Sequence, residues 1–229
     1  MDYVFSRPMR SSSILFLFAF RFVIAQWSND PNVNTPISTA NGDQQVPAIV
    51  SDGARGAIIT WKDTRNTIWP DIYVQRVNQS GIIQWTTNGV PVAVGGFRMH
   101  EFPRMSIDGT GGAIIAWRES PPQPNLNYDI YAQRINTSGV VQWPSGCIPI
   151  CALPGHQGPY SIVYDGTRGA FILWGDGRRV GFSDIYIQRV NALGQAQWDS
   201  NGVPIFTLYT PVGPSATMTN DGAGGVIIT

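Results

Sequence analysis

The chain has 229 residues with 15 basic and 15 acidic side chains, so its formal net charge is zero and no broad electrostatic field favours a nucleic acid or an anionic membrane surface as a partner. Aromatic residues make up 11% of the sequence and charged residues only 13%, with 25 Gly and 17 Pro. This composition is typical of a turn-rich, well-buried chain rather than a disordered one, and it indicates an all-β protein.

Residues 1–25 have the pattern of a signal peptide. Arg7 and Arg10 precede an apolar stretch, and small residues stand just before Gln26. The alternative is a membrane anchor, but the apolar run of about 12 residues contains Arg21 and is shorter than the roughly 20 residues that a spanning helix needs. The sequence therefore predicts a cleaved leader and a secreted or cell-surface mature chain with no membrane span.

One phrase then returns three times along the chain. DIYVQRVNQSGIIQW (71–85), DIYAQRINTSGVVQW (129–143) and DIYIQRVNALGQAQW (184–198) are close copies. Four aspartates recur in step with them at spacings of 56, 57 and 56 residues: Asp52, Asp108, Asp165 and Asp221. A repeat of about this length is typical of arrays and propellers, in which each unit needs its neighbours to bury its faces.

Each repeat contains four predicted strands. Segments such as PAIVSDG end in an Asp-Gly turn, and apolar segments such as GAIITW follow and end in Trp61, Trp117 or Trp174. The DIY segment alternates with the two-residue period of a strand, and NQSG, NTSG or NALG then turns the chain into a fourth strand. Four antiparallel strands repeated without helices predict the blades of a β-propeller.

The repeat also predicts how the mature chain is divided. Residues 26–229 contain, in order, the last strand of a blade with a linker (26–46), blade 1 (47–94), blade 2 (103–151), blade 3 (159–206) and the start of a fourth blade (214–229). An open sheet edge is normally avoided, so we expect a truncated piece of a longer propeller; a small ring of four units is the alternative.

Residues shared by all the units are expected to pack the blades together. Seven of the eight tryptophans occupy two repeated positions, which favours packing over ligand stacking. We likewise expect the charged residues of the repeat to form internal pairs: Arg76, Arg134 and Arg189 on the third strands, and Asp63 and Asp176 after the second-strand tryptophans.

The repeated pattern, DGxGGAxxxW followed by DIYxQRxNxxGxxQW, resembles the propeller-type repeats of secreted, mostly uncharacterised bacterial proteins. The resemblance covers about 26–229 and implies a β-propeller, and many such proteins end in a domain that sorts them to the cell surface or medium. It implies no particular activity, because one fold hosts many functions. The hairpins are also similar to the Asp-box hairpins of sialidases, but SDGARGAIITW lacks the spacing of that box.

Function is expected where the repeats differ. In a four-stranded antiparallel blade, the loops between the second and third strands and the connections between blades emerge on one face, and here they carry the variable segments. Aromatic and arginine side chains on these loops predict a ligand-binding face suited to a sugar or a peptide: Trp69, Tyr128, Arg178, Arg179 and Phe182. The alternative is that each aromatic side chain covers the edge of its own blade.

The two histidines complete the predicted ligand-binding set. His100 and His156 lie on the connections 95–102 and 152–158, each three residues before a Pro that opens the next blade. A metal pair is one interpretation, but no carboxylate or thiolate recurs with them, which favours solvated loop positions. We predict neither a metal nor another cofactor.

The cysteine pair leaves an open question. Cys147 and Cys151 are the only cysteines, and an oxidising compartment favours a disulfide. In an extended segment their Cα atoms would lie about 13 Å apart, whereas a bridge needs about 7 Å or less. A disulfide would require a turn around Pro149.

No catalytic signature accompanies the repeat. The sequence contains no phosphate loop and no nucleophile elbow, and Glu101 and Glu119 are candidate acids only by default. We therefore predict a binding or interaction module with a carbohydrate or protein ligand on the variable-loop face. A glycan-active hydrolase or lyase of propeller fold is the alternative.

Overall fold

The computed structural model describes residues 30, 32–120, 127–144, 147–179, 181, 183–207 and 216–229. The predicted signal peptide and Phe182 lie outside these residues. The described part of the chain contains fourteen strands and no α-helix. The strands are β1 (Gln44–Ser51), β2 (Ala57–Asp63), β3 (Asp71–Val77), β4 (Val90–Ala93), β5 (Met99–Ile107), β6 (Ala113–Ser120), β7 (Asp129–Ile135), β8 (Ile148–Cys151), β9 (Gln157–Tyr164), β10 (Ala170–Asp176), β11 (Asp184–Val190), β12 (Val203–Phe206), β13 (Met218–Asn220) and β14 (Val226–Ile228).

The strands form three four-stranded antiparallel sheets and one two-stranded sheet. The sheets are ordered β1-β2-β3-β4 (blade 1), β5-β6-β7-β8 (blade 2) and β9-β10-β11-β12 (blade 3), and β13 pairs with β14. The first strands contact one another in series, β1 with β5, β5 with β9 and β9 with β13, so they line the inner side of the assembly. This arrangement confirms the predicted all-β fold of four-stranded propeller blades.

The hydrophobic core lies between the blades rather than within any one of them. Ile58 and Val74 of blade 1 pack with Ile115 and Trp117 of blade 2, and a second cluster joins blades 2 and 3 through residues such as Ile172. The second strands are buried on both faces, and every residue of β10 is buried. Continuous apolar segments such as GAFILW therefore form the middle of each blade, where both faces meet a neighbour.

The recurring Asp-Gly turn is closed by its own aspartate. In blade 2, Asp108 Oδ1 accepts hydrogen bonds from the main-chain N–H groups of Thr110 (2.8 Å) and Gly112 (2.9 Å), while its Oδ2 accepts one from Arg134 Nη2 (2.8 Å). Equivalent ion pairs join Asp52 to Arg76 and Asp165 to Arg189. The third-strand arginines therefore form internal pairs, as the repeat predicts.

The third-to-fourth turn of one blade packs on the tryptophan of the blade before it. Trp85 Nε1 donates to the carbonyl of Thr137 (2.9 Å), and a Cβ atom added to Gly139 would lie 2.9 Å from the indole. Trp143 makes the same contact with the turn of blade 3 through Ala192 O (3.0 Å). The repeated N-x-x-G turn and the QW that follows it are thus two halves of one blade-to-blade contact.

The inner strands begin earlier than the sequence predicts. Strand β5 starts at Met99, and His100 and Glu101 pair in register with Glu119 and Arg118 of β6. The segment 95–102 is therefore only partly a connection. The segment HEF (100–102) does not predict a strand because a bulge interrupts β5 there, with Phe102 at φ 52°. The alternation of apolar and polar side chains becomes regular only after this bulge.

Both cysteines are free thiols. Cys151 lies in strand β8, and burial raises the pKa of its thiol to about 12. Cys147 is half-buried, and burial raises the pKa of its thiol to about 11. The two cysteines therefore do not form the disulfide that the sequence left open.

Among the described residues we also find no helix of the length and apolarity required to cross a membrane.

Candidate functional site on the loop face

The second-to-third loops and the connections between blades meet on one face, which we call the loop face. Main-chain hydrogen bonds join them directly: His100 N donates to Pro70 O (2.9 Å), and Gln157 N donates to Tyr128 O (2.9 Å). Each loop therefore lies against the strand that opens the next blade. This is the face on which the sequence places its variable segments.

Two of the predicted ligand-binding residues lie within the framework of blade 3. Arg178 pairs with the buried Asp176 (Nη2 to Oδ2, 2.6 Å), donates to Asn201 O (2.9 Å) and covers the ring of Tyr186. Arg179 makes two hydrogen bonds of 2.6 Å to the carboxylate of Asp184. Any ligand of these arginines would have to compete with buried carboxylates for their N–H groups.

The same arrangement of arginine, aspartate and tryptophan recurs in blade 1, which indicates that it serves blade packing. Arg65 pairs with the buried Asp63 and lies 3.8 Å from the ring centroid of Tyr73. Trp61 Nε1 donates to Asp63 Oδ2 (2.7 Å), as Trp174 Nε1 does to the aspartate of blade 3 (2.8 Å). In these two blades the carboxylate after the second-strand tryptophan is therefore an internal, fully satisfied group.

Blade 2 lacks this framework. Glu119 stands where blades 1 and 3 have an aspartate, and Cys147 stands where they have Gly89 and Gly202. The indole Nε1 of Trp117 is buried and has no hydrogen-bond partner. The carboxylate oxygens of Glu119 contact Arg98 and His100, so the tryptophan–carboxylate hydrogen bond of the other two blades is missing at Trp117.

Glu119 instead joins a buried charge network that bridges blades 1 and 2. His100 Nε2 lies 3.4 Å from Glu119 Oε2, and His100 Nδ1 lies 3.6 Å from Asp71 Oδ1 and 3.2 Å from Pro70 O. Arg98 Nη1 donates to Glu119 Oε1 (2.8 Å). Because both ring nitrogens face oxygen atoms, the imidazole is suited to carry two protons and a positive charge.

The network shifts the titration of all three of its buried members. Burial alone would lower the pKa of His100, but Asp71 and Glu119 raise it to about 9. Burial opposes ionisation of the two carboxyl groups as well, and the imidazolium nevertheless keeps the pKa of Asp71 and that of Glu119 below their usual values. The expectation of a solvated loop position for His100 is wrong, since only 4% of this residue is exposed.

A second carboxyl group faces Glu119 across the sheet. Asp129 is its partner in the register of β6 and β7, and it is half-buried. Burial, followed by the charge of Glu119, raises the pKa of Asp129. Two neighbouring carboxyl groups are thus shifted in opposite directions, which is the electrostatic arrangement that separates a proton donor from a proton acceptor.

One residue before Glu119 on the same strand, an arginine is held between two aromatic rings. The guanidinium carbon of Arg118 lies 4.2 Å from the centroid of Phe102 and 4.0 Å from that of Tyr128. Its Nη2 donates to Glu101 Oε2 (2.9 Å), and the ring of Tyr128 lies 5.7 Å from that of the exposed His156. We call Phe102, Arg118 and Tyr128 the aromatic–arginine stack.

The stack borders a cavity of about 180 Å³ between the inner strands of blades 2 and 3. The residues that line it are Phe102, Arg104, Arg118, Gly158, Pro159 and Tyr160. Arg104 reaches across this boundary, because its Nε donates to Tyr160 O (3.2 Å). The cavity therefore lies at the boundary between two blades, beside the loop face.

The structure brings together only part of the predicted set. Tyr128 and His156 are neighbours in blades 2 and 3. Trp69 is a half-buried residue of the blade 1 loop, and its main-chain N–H donates to Thr67 Oγ1 (3.0 Å). Among the described residues, no group of three His, Cys, Asp or Glu side chains is placed to hold a metal ion.

Sequence reasoning missed three residues of this region, although a signal for them exists. Phe102 stands where the other blades have Val46 and Pro159, Arg104 where they have Ala48 and Ser161, and Arg118 where they have Lys62 and Gly175. Arg104 and Arg118 lie inside strands, where the repeat predicts packing, whereas Phe102 is the last residue of the variable connection 95–102 and is not among the candidates drawn from it. The departures from the repeat mark blade 2 as the unit with a specialised surface.

Of three comparisons with known proteins, only the one with solved structures gives matches. No protein-family model matches the sequence, and no curated protein matches it. Among solved structures, similarity is found to a GH93 α-L-arabinofuranosidase of Fusarium graminearum in complex with arabinobiose, with a TM-score of 0.43 and 12% identity over 81% of this chain and 52% of that chain. An endo-arabinase from Bacteroides thetaiotaomicron gives a TM-score of 0.44 and 13% identity over 85% of this chain and 73% of that chain. The chain thus spans about half the length of the arabinofuranosidase.

Proposed function

We propose that the chain is a carbohydrate-binding β-propeller, secreted or displayed at a cell surface, whose ligand is bound on the loop face of blade 2. The observation that supports this proposal is the aromatic–arginine stack, Phe102, Arg118 and Tyr128, beside a cavity of about 180 Å³. The stack is absent from the other two blades because their residues at the position of Arg118 are Lys62 and Gly175. It is therefore not explained by the packing that the repeat requires.

The chemistry of the stack suits a saccharide. Sugars present flat apolar C–H faces and rings of hydroxyl groups, which aromatic rings and a few directed polar groups bind together. Phe102 is 39% exposed, so part of its ring can contact a ligand. Glu101 supplies acceptor oxygens beside it, and its side chain is already oriented by Arg118. Pre-oriented groups lose little side-chain entropy on binding.

The test is binding of the full chain to a panel of neutral and acidic plant and bacterial polysaccharides by affinity electrophoresis and calorimetry. Tyr128→Ala should weaken binding by about tenfold. Stacking on one aromatic ring contributes up to about 1.5 kcal/mol, and about 1.4 kcal/mol corresponds to a tenfold change in Kd. Phe97→Ala is the matched control, since Phe97 is 76% exposed on the connection between β4 and β5 and is not part of the stack. Equal losses in the two variants, or recovery of a protein partner with no glycan bound, would refute a carbohydrate site at the stack.

A hydrolase is a second candidate function, and one observation favours it. Glu119 and Asp129 are cross-strand partners of β6 and β7 whose carboxyl groups have pKa values shifted in opposite directions. Glycoside hydrolysis in most families uses a protonated and an ionised carboxyl group about 5 to 9.5 Å apart. Asp129, with its raised pKa, would serve as the proton donor and Glu119 as the ionised partner.

The same glycan panel separates the two candidates. A hydrolase would release new reducing ends from a bound glycan, and Asp129→Asn would abolish the release while leaving glycan binding within about twofold of the wild type. A glycan that is bound but never cleaved, at any pH between 4 and 9, would leave the binding module as the better assignment.

A further inference from the structure

We propose that the cavity between the inner strands of blades 2 and 3 binds the carboxylate of an acidic saccharide, a uronic acid residue, through Arg104 and Arg118. This inference rests on the proposed function and specifies its ligand class. It starts from charge: the cavity is lined by two arginines, and no carboxylate is among the residues that line it.

The two arginines are in different states. Arg118 already pairs with Glu101 (2.9 Å), which also lies 3.9 Å from Lys62 Nζ. The contacts of Arg104, by contrast, are to main-chain carbonyls: its Nε donates to Tyr160 O (3.2 Å) and its Nη1 to Pro103 O (3.3 Å). Within the described ranges no carboxylate forms an ion pair with Arg104. Its charge is thus positioned by the fold but not neutralised by it.

The local balance is therefore cationic. Lys62 and Arg118 both contact the carboxylate of Glu101, and Arg104 lines the same cavity as Arg118, in a chain whose overall net charge is zero. A guanidinium presents its N–H groups as a planar fork that matches a carboxylate. Partial enclosure strengthens that interaction, because fewer water molecules compete for the charge.

The remaining walls suit a sugar ring rather than a small inorganic anion. Phe102 and Tyr160 are both among the lining residues. The cavity of about 180 Å³ is smaller than the roughly 300 to 1,000 Å³ of sites for drug-sized ligands, so it fits one sugar residue with the rest of a chain outside. Gly175 keeps this shape, since a Cβ atom there would lie 2.2 Å from the Tyr160 hydroxyl oxygen.

Arginine at position 104 is also a departure from the repeat. The equivalent residues are Ala48 in blade 1 and Ser161 in blade 3, so blade assembly does not require a cation there. The blade-to-blade hydrogen bond that Arg104 makes to Tyr160 orients the side chain, but a neutral residue serves in the other units. A ligand for the charge accounts for a feature that packing leaves unexplained.

The experiment compares galacturonic acid with galactose, and glucuronic acid with glucose, by calorimetry and ligand-detected NMR on the full chain. In each pair a carboxylate replaces the C6 hydroxymethyl group, and we expect the uronic acids to bind at least about tenfold more tightly, with an advantage that shrinks as salt is raised. Arg104→Gln should remove the advantage and Arg104→Lys should keep part of it. Arg55→Gln, which removes the same charge from an exposed turn on the opposite face, is the control and should change nothing.

The outcomes separate this inference from the function on which it rests. If neutral and acidic sugars bind equally and Arg104→Gln has no effect, the acidic ligand is wrong while carbohydrate binding stands. If Tyr128→Ala weakens binding of every sugar and Arg104→Gln affects only the uronic acids, both proposals are supported. If no saccharide binds to the wild-type chain, the proposed function fails, and the acidic ligand fails with it.

Discussion

The charge network between blades 1 and 2 leads to a prediction about alkaline stability. Replacing His100 by Gln, the residue at the equivalent position of both other blades, would leave Asp71 and Glu119 buried without the imidazolium between them. Removing one member of a buried ion pair typically costs about 3 to 5 kcal/mol, because the remaining charge is not compensated. We expect a loss of this size in the free energy of unfolding at pH 7.

The pKa of His100 provides a separate estimate of the same quantity. A rise from 6.5 in the unfolded chain to about 9 in the folded protein corresponds to about 3 kcal/mol of stabilisation. Between these values the folded state binds more protons than the unfolded state, so this stabilisation is complete below about pH 6.5 and is lost as the pH rises through 9. Asp71 and Glu119 have lowered pKa values, so their contribution is present above their usual pKa and disappears in acid.

Urea unfolding followed by tryptophan fluorescence, from pH 5 to pH 10, measures both effects. The difference between the wild type and His100→Gln should be about 3 kcal/mol or more at pH 6 and should shrink towards zero near pH 10. His156→Gln is the control, because His156 is exposed and should show no difference at any pH. A His100→Gln variant that stays within 1 kcal/mol of the wild type at pH 6, or whose deficit does not change with pH, would show that the imidazole is neutral and does not bridge the blades.

Two further predictions concern the repeat. Trp117→Ala should lower the free energy of unfolding by about 3 to 5 kcal/mol and Trp69→Ala by less than about 1 kcal/mol, because only Trp117 is fully buried between blades; equal shifts in melting temperature would show that Trp69 is a core residue. Gly139→Ala should be more destabilising than Gly53→Ala by about 1 to 3 kcal/mol. Both glycines have φ near 75°, but only a Cβ atom at position 139 would meet the indole of Trp85. Equal denaturation midpoints would show that the contact between this turn and Trp85 does not stabilise the protein.

The sequence by itself determined the architecture of the blades. Alternation in the DIY strands, the apolar second strands and the Asp-Gly turns are local patterns, and each depends only on residues within a few positions of one another. Internal pairs for Arg76 and for Asp63 were also predictable, because residues that recur between units serve the packing that those units share. Comparison of the repeats therefore shows which residues serve packing, which one copy alone would not show.

The candidate site was decided by contacts between blades, which no local pattern encodes. His100 is buried because the register of β5 places it between Asp71 of the preceding blade and Glu119 of its own. From the sequence it is a polar residue in a variable connection, and a bulge hides the start of its strand.

The arginines show the same limit most clearly. Arg118 and Arg178 follow the second-strand tryptophans of their blades by one and four residues, and the sequence favoured Arg178 as a ligand-binding residue. The fold pairs Arg178 with a buried aspartate but places Arg118 between two aromatic rings at the edge of a cavity. The difference arises because a guanidinium takes whatever acceptors and rings tertiary packing brings within reach, and those come from strands and loops far apart in the chain.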